Sequence, residues 1–408
     1  MEMIPAREPP VSSVGLIAWL RRNLFANIAD SIVSVVLGIV LVWAGYGLVS
    51  WVLTSASWGP LWENMRLLFV YRYPVDLTWR PITVAALFLS LLGLSAGAST
   101  GNDKGNIIRG VFVSMFGVVL LATVVALFNW PSVRWLWLAA STAATLAYFL
   151  GRARPDLNRF LPWLWGASIP ATVVLLYGVW NSGPLQVVGT RMWGGFMLTL
   201  VLAVGGIVLS FPIGVALALG RRSQLPAIKY TCIAFIEIVR GAPLITWLFI
   251  ASLMVPLVFN VGPDAIDPLV RGFVAITLFS AAYMAENVRG GLQAVPRGQN
   301  EAARALGLSG WQTMAVIVLP QALRAVLPAI VGQAIGLFKD TSLVFIVGLF
   351  DFFEIGRRII PNQSASLQIP GGVYMEMSLF MTVVYFFFAW RMSIASRQLE
   401  KQLGVGER

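Results

Sequence analysis

The stretch from Glu301 to Pro320 reads Glu-Ala-Ala-Arg-Ala-Leu-Gly-Leu-Ser-Gly-Trp-Gln-Thr-Met-Ala-Val-Ile-Val-Leu-Pro. It begins with polar, helix-forming residues and lies between long apolar segments. Small residues on a short helix can sit deep in a partner's groove, while Gly307 and Pro320 would set the turns of the chain. We interpret the stretch as a docking loop. The alternative is an ordinary amphipathic helix, since Glu, Ala, Arg and Leu favour helices in any protein.

The composition places the chain in a membrane. Of its 408 residues, 58% are hydrophobic and 12% are charged, and the mean hydropathy is +0.79. Soluble globular proteins are much less apolar. A spanning helix needs about 20 mostly apolar residues, so we predict an all-α membrane protein with about ten transmembrane helices. Their predicted ranges are 31–53, 82–100, 107–128, 133–150, 161–180, 194–219, 230–257, 271–289, 325–348 and 374–393.

The distribution of Lys and Arg predicts the orientation. With ten spans both termini lie on one side, and the segments on that side carry nineteen basic residues against eight on the other. Basic residues accumulate in the cytoplasm, so both termini and the docking loop are expected there. This bias also explains the net charge of +11 without a nucleic-acid partner. The lipid bilayer, through its anionic headgroups, is the expected counter-surface.

Several residue types that catalysis needs are missing. The chain has no histidine and a single cysteine, Cys232, which excludes His-based catalysis, His metal sites and cysteine metal clusters. None of its four lysines follows a glycine, so the phosphate-binding loop of an ATPase is absent. We predict no catalytic residues, no metal site and no cofactor bound by this chain.

Charged motifs occur in the spans of the second half. They read Glu237-Ile238-Val239-Arg240-Gly241-Ala242-Pro243-Leu244, Ala285-Glu286-Asn287-Val288-Arg289-Gly290-Gly291-Leu292-Gln293-Ala294-Val295-Pro296 and Lys339-Asp340-Thr341-Ser342-Leu343. A charge at mid-membrane costs about 2.5–3.5 kcal/mol, so it persists where it meets a partner, water or a ligand. We therefore expect at least one of Lys339 and Asp340 to face a neighbouring span or a substrate pathway. An ion pair that fastens this span to its neighbours is the equally favoured alternative.

The two other charged pairs are spaced for ion pairs within a helix. Glu237 and Arg240 lie three residues apart on one helix face, which favours a structural pair, although both remain candidates for the substrate pathway. Pro243 would kink the span beside them. Glu286 and Arg289 have the same spacing, and there we expect a salt bridge near the docking loop without substrate contact.

Together these motifs resemble the permease subunits of type I ATP-binding-cassette importers, and in particular their polar amino acid branch. The docking loop matches the EAA loop of that family, with Gly307, Ile317, Leu319 and Pro320 in register. The resemblance covers residues 190–400, about half of the chain. Two departures are Ala242, where Thr is common, and Trp247, where Gln is frequent. They bear on the substrate range.

The resemblance implies a five-helix permease core and a set of partners. These are an ABC ATPase subunit dimer that holds ATP and Mg²⁺, a second homologous permease chain and a periplasmic amino-acid-binding protein. It places the chain in the bacterial inner membrane and implies import of L-amino acids by alternating access. The expected ATPase-docking residues are Glu301, Ala302, Ala303, Arg304, Gly307 and Leu308. The candidates for the substrate pathway are Lys339, Asp340, Thr341, Ser342, Glu237 and Arg240.

The predicted domain organisation separates an additional module from the core. It comprises a cytoplasmic segment 1–30, a five-helix membrane module 31–185, the core 190–396 with its coupling loop 290–324, and a cytoplasmic tail 397–408. The long amino-terminal extension resembles the general L-amino acid permease group and is expected to serve packing or assembly. A 5+5 inverted-repeat secondary transporter is the alternative. Only the second half, however, has Gly-Pro interruptions flanked by charge, which argues against two equivalent halves.

Overall fold

The computed structural model describes residues 15–99, 103–129, 133–260, 262, 265–362 and 373–404. Residues 1–14 of the predicted cytoplasmic segment and residues 405–408 of the tail lie outside the described residues. The described chain is almost entirely helical, apart from the two-residue strand Phe350–Asp351 and isolated bridges. Two compact units are present, Met1–Trp58 and Gly59–Arg408. The boundary predicted at 185–190 therefore falls inside the second unit.

The first unit contains α1 (Leu16–Asn23) and α2 (Ile28–Thr54). Asn27 caps α2, because its side chain accepts the Asp30 backbone N–H at 2.8 Å. The 27 residues of α2 correspond to about 40 Å of helix, which is long enough to span a bilayer.

The second unit begins with α3 (Gly59–Glu63), α4 (Met65–Val70), α5 (Trp79–Ala98), α6 (Asp103–Asn129), α7 (Arg134–Ala153) and α8 (Leu161–Tyr177). Helices α5 and α7 approach closely through small residues. A Cβ atom on Gly97 would lie 2.1 Å from the Tyr148 carbonyl oxygen, and one on Gly151 would lie 2.4 Å from that of Leu94. Gly93 and Gly97 form the small-xxx-small spacing that lets membrane helices pack backbone to backbone.

The core contains α9 (Gly195–Gly220), α10 (Pro226–Arg240), α11 (Leu244–Val258), α12 (Pro268–Ala294), α13 (Arg297–Ala305), α14 (Gly310–Val347) and α15 (Tyr374–Leu403). Leu198, Ile276 and Leu337 are buried in one apolar cluster between α9, α12 and α14. A second apolar cluster contains Met284 and Val318, and Val295, two residues before α13, packs against it. Packing of these three helices thus frames the region that carries the charged motifs.

Each of the ten predicted ranges contains a helix, but not all are equally suited to cross a membrane. Among the described residues, seven helices are long and apolar enough, and the pair α10–α11 adds an eighth if it counts as one bent span. Helix α8 has only 17 residues, and α7 contains Ser141, Thr142 and Thr145, which lower its hydropathy. Length and composition in the structure therefore support seven or eight spans.

The predicted kink at Pro243 is a complete break. Helices α10 and α11 meet at 102°, so the predicted single helix over 230–257 is wrong. Pro243 has extended geometry (φ −61°, ψ 151°), and it cannot donate a backbone hydrogen bond. The indole Nε1 of Trp247 donates to the Val239 carbonyl at 3.0 Å, which satisfies an acceptor at the end of α10.

The additional helices of the second unit are fastened to the core by polar contacts. Arg391 of α15 donates from Nη2 to the Gly110 carbonyl of α6 at 2.7 Å. The Arg80 Nε donates to the Pro184 carbonyl at 2.9 Å in the connection that leads to α9. Arg80 is fully buried, so this connection is part of the packed interior.

Candidate functional site

The docking loop forms a capped helical hairpin. Helix α13 ends at Ala305, and the chain turns at Gly307, whose φ of +79° is the left-handed conformation that glycine adopts without strain. The Leu308 N–H donates to the Ala303 carbonyl at 3.1 Å and the Gly307 N–H donates to that of Arg304 at 2.9 Å. These two bonds form a Schellman motif. The sequence Ala-Arg-Ala-Leu-Gly-Leu thus stops the helix at a defined residue.

The second arm of this hairpin is also fixed. Ser309 and Gln312 form a reciprocal capping box at the start of α14. Helix α13 packs against Thr313–Val318, and Gln321 donates to the Gln299 side chain at 3.2 Å. Contacts within the chain therefore define the shape of the loop.

The predicted docking residues divide between the outside and the inside of the hairpin. Ala303 is buried, at 3% exposure, and anchors α13. Glu301, Ala302 and Arg304 are exposed, as is Gly307, whereas Leu308 is half-buried. Leu306 is 82% exposed and Trp311 is 73% exposed. Sequence reasoning did not select these last two, although a large apolar residue in a polar loop is a signal for a binding surface.

Charged residues at the ends of α9 and α10 and on α12 form one ion network. Arg221 contacts Glu237 at 2.9 Å and Glu286 at 3.7 Å. Arg240 contacts Glu286 at 3.3 Å, and Arg289 forms an ion pair with the same carboxylate. Its cationic partners thus surround Glu286, whose side chain is 22% exposed.

This network corrects one sequence expectation and confirms another. The pair of Glu237 with Arg240 is wrong, because Glu237 bonds to Arg221 and Arg240 bonds to Glu286. The break after α10 turns its last residues toward the neighbouring helices. The predicted pair of Glu286 with Arg289 is confirmed. Since Arg221 directly follows α9, the network lies at the end of the bundle that the predicted orientation places in the cytoplasm.

The Lys339–Ser342 motif lies toward the other end of α14. Lys339 is exposed, and Asp340 and Ser342 are half-buried. Thr341 is buried and donates to the Phe338 carbonyl at 2.9 Å, at the point where α14 tightens into a 3-10 helix. Within the described part of the chain, no ion pair includes Lys339 or Asp340. The structure therefore does not bring these residues together with Glu237 and Arg240.

A polar network inside the bundle was missed by sequence reasoning. Gln333 of α14 donates from Nε2 to the Ser280 carbonyl at 2.6 Å and accepts from the Asn287 amide at 2.8 Å. Ser280 in turn donates to the Ser210 hydroxyl of α9 at 3.2 Å. Such bonds hold membrane helices together where water is absent. The signal in the sequence was the presence of isolated polar residues, such as Gln333, within apolar spans.

The comparisons with known proteins cover both halves of the chain. Residues 210–403 match the family described as "Binding-protein-dependent transport system inner membrane component". The glutamate/glutamine/aspartate/asparagine transport system permease protein BztC of Rhodobacter capsulatus is 35% identical over 98% of this chain and 97% of its own. The inner membrane amino-acid ABC transporter permease protein YhdY of Escherichia coli K12 is 33% identical over 98% and 97%.

A shorter relative matches only half of the chain. The glutamate/aspartate import permease protein GltK of Escherichia coli O6:H1 is 35% identical over 51% of this chain and 91% of its own length. Full-length similarity to two permeases, together with the family match over the second half, establishes the class. The chain belongs to the family of inner-membrane permease components of binding-protein-dependent transport systems, in its amino-acid ABC transporter branch.

Proposed function

We propose that this chain carries polar L-amino acids inward as one permease subunit of an ABC importer in a bacterial inner membrane. A separate ATPase subunit dimer binds ATP and Mg²⁺, a second permease chain completes the pathway, and an extracytoplasmic binding protein delivers the substrate. The observation that carries this proposal is the capped hairpin formed by α13 and the start of α14. Glutamate, aspartate and their amides, which are named as substrates of the relatives, are the first substrates to test.

The hairpin is suited to transmit a displacement imposed by a bound partner. Glu301, Ala302 and Arg304 present a narrow, exposed helix surface, and the Schellman motif at Gly307 holds its end. Because α13 packs on the first turns of α14, a displacement of α13 is passed to the helix that carries Lys339. ATP-driven closure of the ATPase would thereby move the core helices between inward-open and outward-open arrangements.

The exposed face of α14 is the proposed substrate pathway. Gly332, Gly336 and Lys339 follow each other at helical spacing, and a Cβ atom on either glycine would meet open space. An unpaired cation on a membrane helix is costly unless water, a partner or a ligand solvates it. Lys339 would contact the substrate carboxylate, and Asp340 and Ser342 would line the same end. Glu237 and Arg240 are instead assigned to the ion network at the other end.

Transport by the purified complex tests this function. Proteoliposomes containing ATP are given labelled glutamate, glutamine, aspartate or asparagine, with and without binding protein. Uptake that requires both ATP and binding protein supports the proposal. Uptake driven by an ion gradient without ATP would contradict it and favour a secondary transporter.

Charge reversal at the docking loop tests the partner assignment. Glu301→Lys is expected to uncouple ATP hydrolysis from uptake while the permease remains inserted, because an exposed carboxylate of α13 is replaced by a cation. Asp156→Lys makes the same change at an exposed position on another predicted cytoplasmic segment and should leave coupling intact. Normal uptake by Glu301→Lys would remove Glu301 from the docking surface.

A further inference from the structure

Two arginines near the outer end of the core are fixed by one buried carboxylate. Glu354 is 1% exposed, and its oxygens contact Arg357 at 3.0 Å and Arg358 at 2.9 Å. The arginine side chains nevertheless remain 44% and 57% exposed. The buried acid thus orients two guanidinium groups that remain partly exposed.

The additional half of the chain contributes a third arginine to the same region. Helix α4 packs against Ile355–Ile359, the turn that carries Arg357 and Arg358. Directly after α4, the ring of Tyr71 lies 5.2 Å from that of Phe350. Arg72 is exposed, and its guanidinium lies 5.5 Å from the Tyr71 ring centroid.

The backbone that presents Arg72 is held in an unusual conformation. Tyr71 has a φ of +56° although it is not glycine, a conformation that bulky residues rarely adopt. The Arg66 side chain donates to the Tyr73 carbonyl at 3.0 Å and stabilises this turn. Strain of this kind persists where the surrounding structure enforces it, and it is concentrated at functional sites.

Other arginines of the predicted outer side have a different task. Arg66, Arg80 and Arg271 direct donors to the backbone carbonyls of Tyr73, Pro184 and Ser252. These three guanidinium groups therefore make hydrogen bonds within the fold. Basic residues are scarce on this side of membrane proteins, so three exposed arginines gathered there call for a separate explanation.

We propose that Arg72, Arg357 and Arg358 form an outer basic patch that receives an acidic surface of the extracytoplasmic binding protein. This inference rests on the proposed function and names the site at which that partner docks. It also gives the amino-terminal helices a role, since α4 and the turn after it complete the patch. The shorter relatives that match half of the chain would lack this contribution.

A transient protein partner fits the patch better than a permanent one or a lipid. A second permease chain bound there would have to desolvate the guanidinium groups, which is unfavourable without well-placed partners. Exposed charges instead accelerate the association of partners that bind and leave, in a salt-dependent manner. Anionic lipids act mainly on the cytoplasmic leaflet, the opposite face by the predicted orientation.

The test measures ATP hydrolysis by the complete complex in lipid nanodiscs as its substrate-loaded binding protein is titrated. Arg72→Glu is expected to raise the half-saturating concentration by about threefold at low salt. A triple variant combines Arg357→Gln and Arg358→Gln with Glu354→Gln, so that no buried charge is left unpaired. This variant is expected to raise the half-saturating concentration about tenfold. The maximal rate should stay unchanged, and the differences should shrink at high salt. Arg154→Glu, an exposed change on the predicted cytoplasmic face, is the matched control.

Each of the following results would overturn the proposed docking site. Unchanged half-saturation in Arg72→Glu and in the triple variant would remove the patch from docking, as would an equal effect of Arg154→Glu. Loss of the second permease chain from purified variants would assign the patch to a permease interface. A lower maximal rate at unchanged half-saturation would assign it to the transport cycle. If the binding protein fails to stimulate the wild-type complex, the proposed function itself fails, which is distinct from a failure of the variants to differ.

Discussion

At the scale of single residues, Lys339 is a cation on a helix that is apolar enough to span the membrane. Its exposure, with no ion pair among the described residues, distinguishes it from Arg240, which contacts Glu286 at 3.3 Å. The same residue class thus has two uses in this chain. Arg240 contacts a neighbouring helix, whereas Lys339 is the residue that we propose to meet a substrate carboxylate.

Replacing Lys339 tests its role in the pathway. Lys339→Ala is expected to lower uptake by about tenfold or more, because a charge-assisted hydrogen bond to the substrate is worth about 1.5–3 kcal/mol. The assembled complex should be recovered in normal yield. Lys229→Ala, at an exposed position of α10, is the control. Loss of assembly in Lys339→Ala would instead make Lys339 a structural residue.

Asp351 predicts a pH dependence of stability. It is fully buried, and its Oδ1 accepts the Glu354 N–H at 2.9 Å. Burial raises the pKa of this carboxyl from 3.8 to about 6. Since folding favours the protonated form, the stability that it contributes at low pH is lost as pH rises from about 4 through 6. The loss is at most about 3 kcal/mol, from 1.36 kcal/mol per pKa unit.

Asp351→Asn should remove this dependence while keeping the acceptor for the Glu354 N–H. Thermal unfolding of the purified complex is measured at about pH 5 and about pH 7.5, on either side of the folded-state pKa of about 6. The wild type is expected to lose more stability across this interval than Asp351→Asn. The exposed control Asp156→Asn should behave like the wild type. Equal pH dependence of Asp351→Asn and the wild type would show that Asp351 does not titrate there.

At the scale of elements, close packing of α5 on α7 depends on glycine. A Cβ atom on Gly97 would lie 2.1 Å from the Tyr148 carbonyl oxygen, whereas one on Gly117 of α6 would meet nothing within 4 Å. The two glycines are therefore equivalent in sequence but not in packing. Propensity alone would favour replacement of either, since Gly is about 1 kcal/mol less favourable than Ala in a helix.

Gly97→Leu and Gly117→Leu separate these contributions. Gly97→Leu is expected to force α5 away from α7 at a cost of about 1–3 kcal/mol or more, because the neighbouring atoms belong to the backbone. Gly117→Leu should be neutral or slightly stabilising. The melting temperature of the complex and its resistance to protease report the difference. Equal behaviour of the two variants would contradict the observed α5–α7 interface.

At the scale of the whole molecule, separate contacts within the second unit join the additional helices to the core. Arg391 bonds to Gly110 at 2.7 Å, and Tyr73 belongs to an apolar cluster against which Met197 of α9 packs. Within the additional helices, the Tyr73 hydroxyl donates to the Leu176 carbonyl of α8 at 2.7 Å. Tyr73 is fully buried, and burial raises its pKa, so this hydroxyl remains a donor at physiological pH. Helix α6 and helix α4 consequently contact the core directly.

The predicted orientation of the whole chain can be measured with single cysteines. In a Cys232→Ser background, Ser182→Cys should react with an impermeant maleimide in intact cells. Gln224→Cys should react only after the membrane is opened, because basic residues retain its loop in the cytoplasm. Both positions are exposed. The reverse labelling pattern would contradict cytoplasmic termini and place the docking loop outside.

The sequence by itself determined what depends on local pattern. Apolar runs predicted the helices, and the spacing from Glu301 to Pro320 predicted the docking loop and its turn at Gly307. The absence of histidine and of a phosphate-binding loop led to the prediction that this chain has no catalytic residues. These properties follow from side chains within a few turns of one another, where period and propensity are informative.

Only the tertiary structure decided which distant groups meet. In the folded chain Glu237 meets Arg221 and Arg240 meets Glu286. Packing also brings α4 of one half against the turn that carries Arg357 in the other. Gln333 likewise found Ser280 only because α12 and α14 are neighbours. Ion pairs and hydrogen bonds depend on distances of a few ångströms between separate helices. One-dimensional spacing does not contain those distances, because helix angle and register are set by the packing of the whole core.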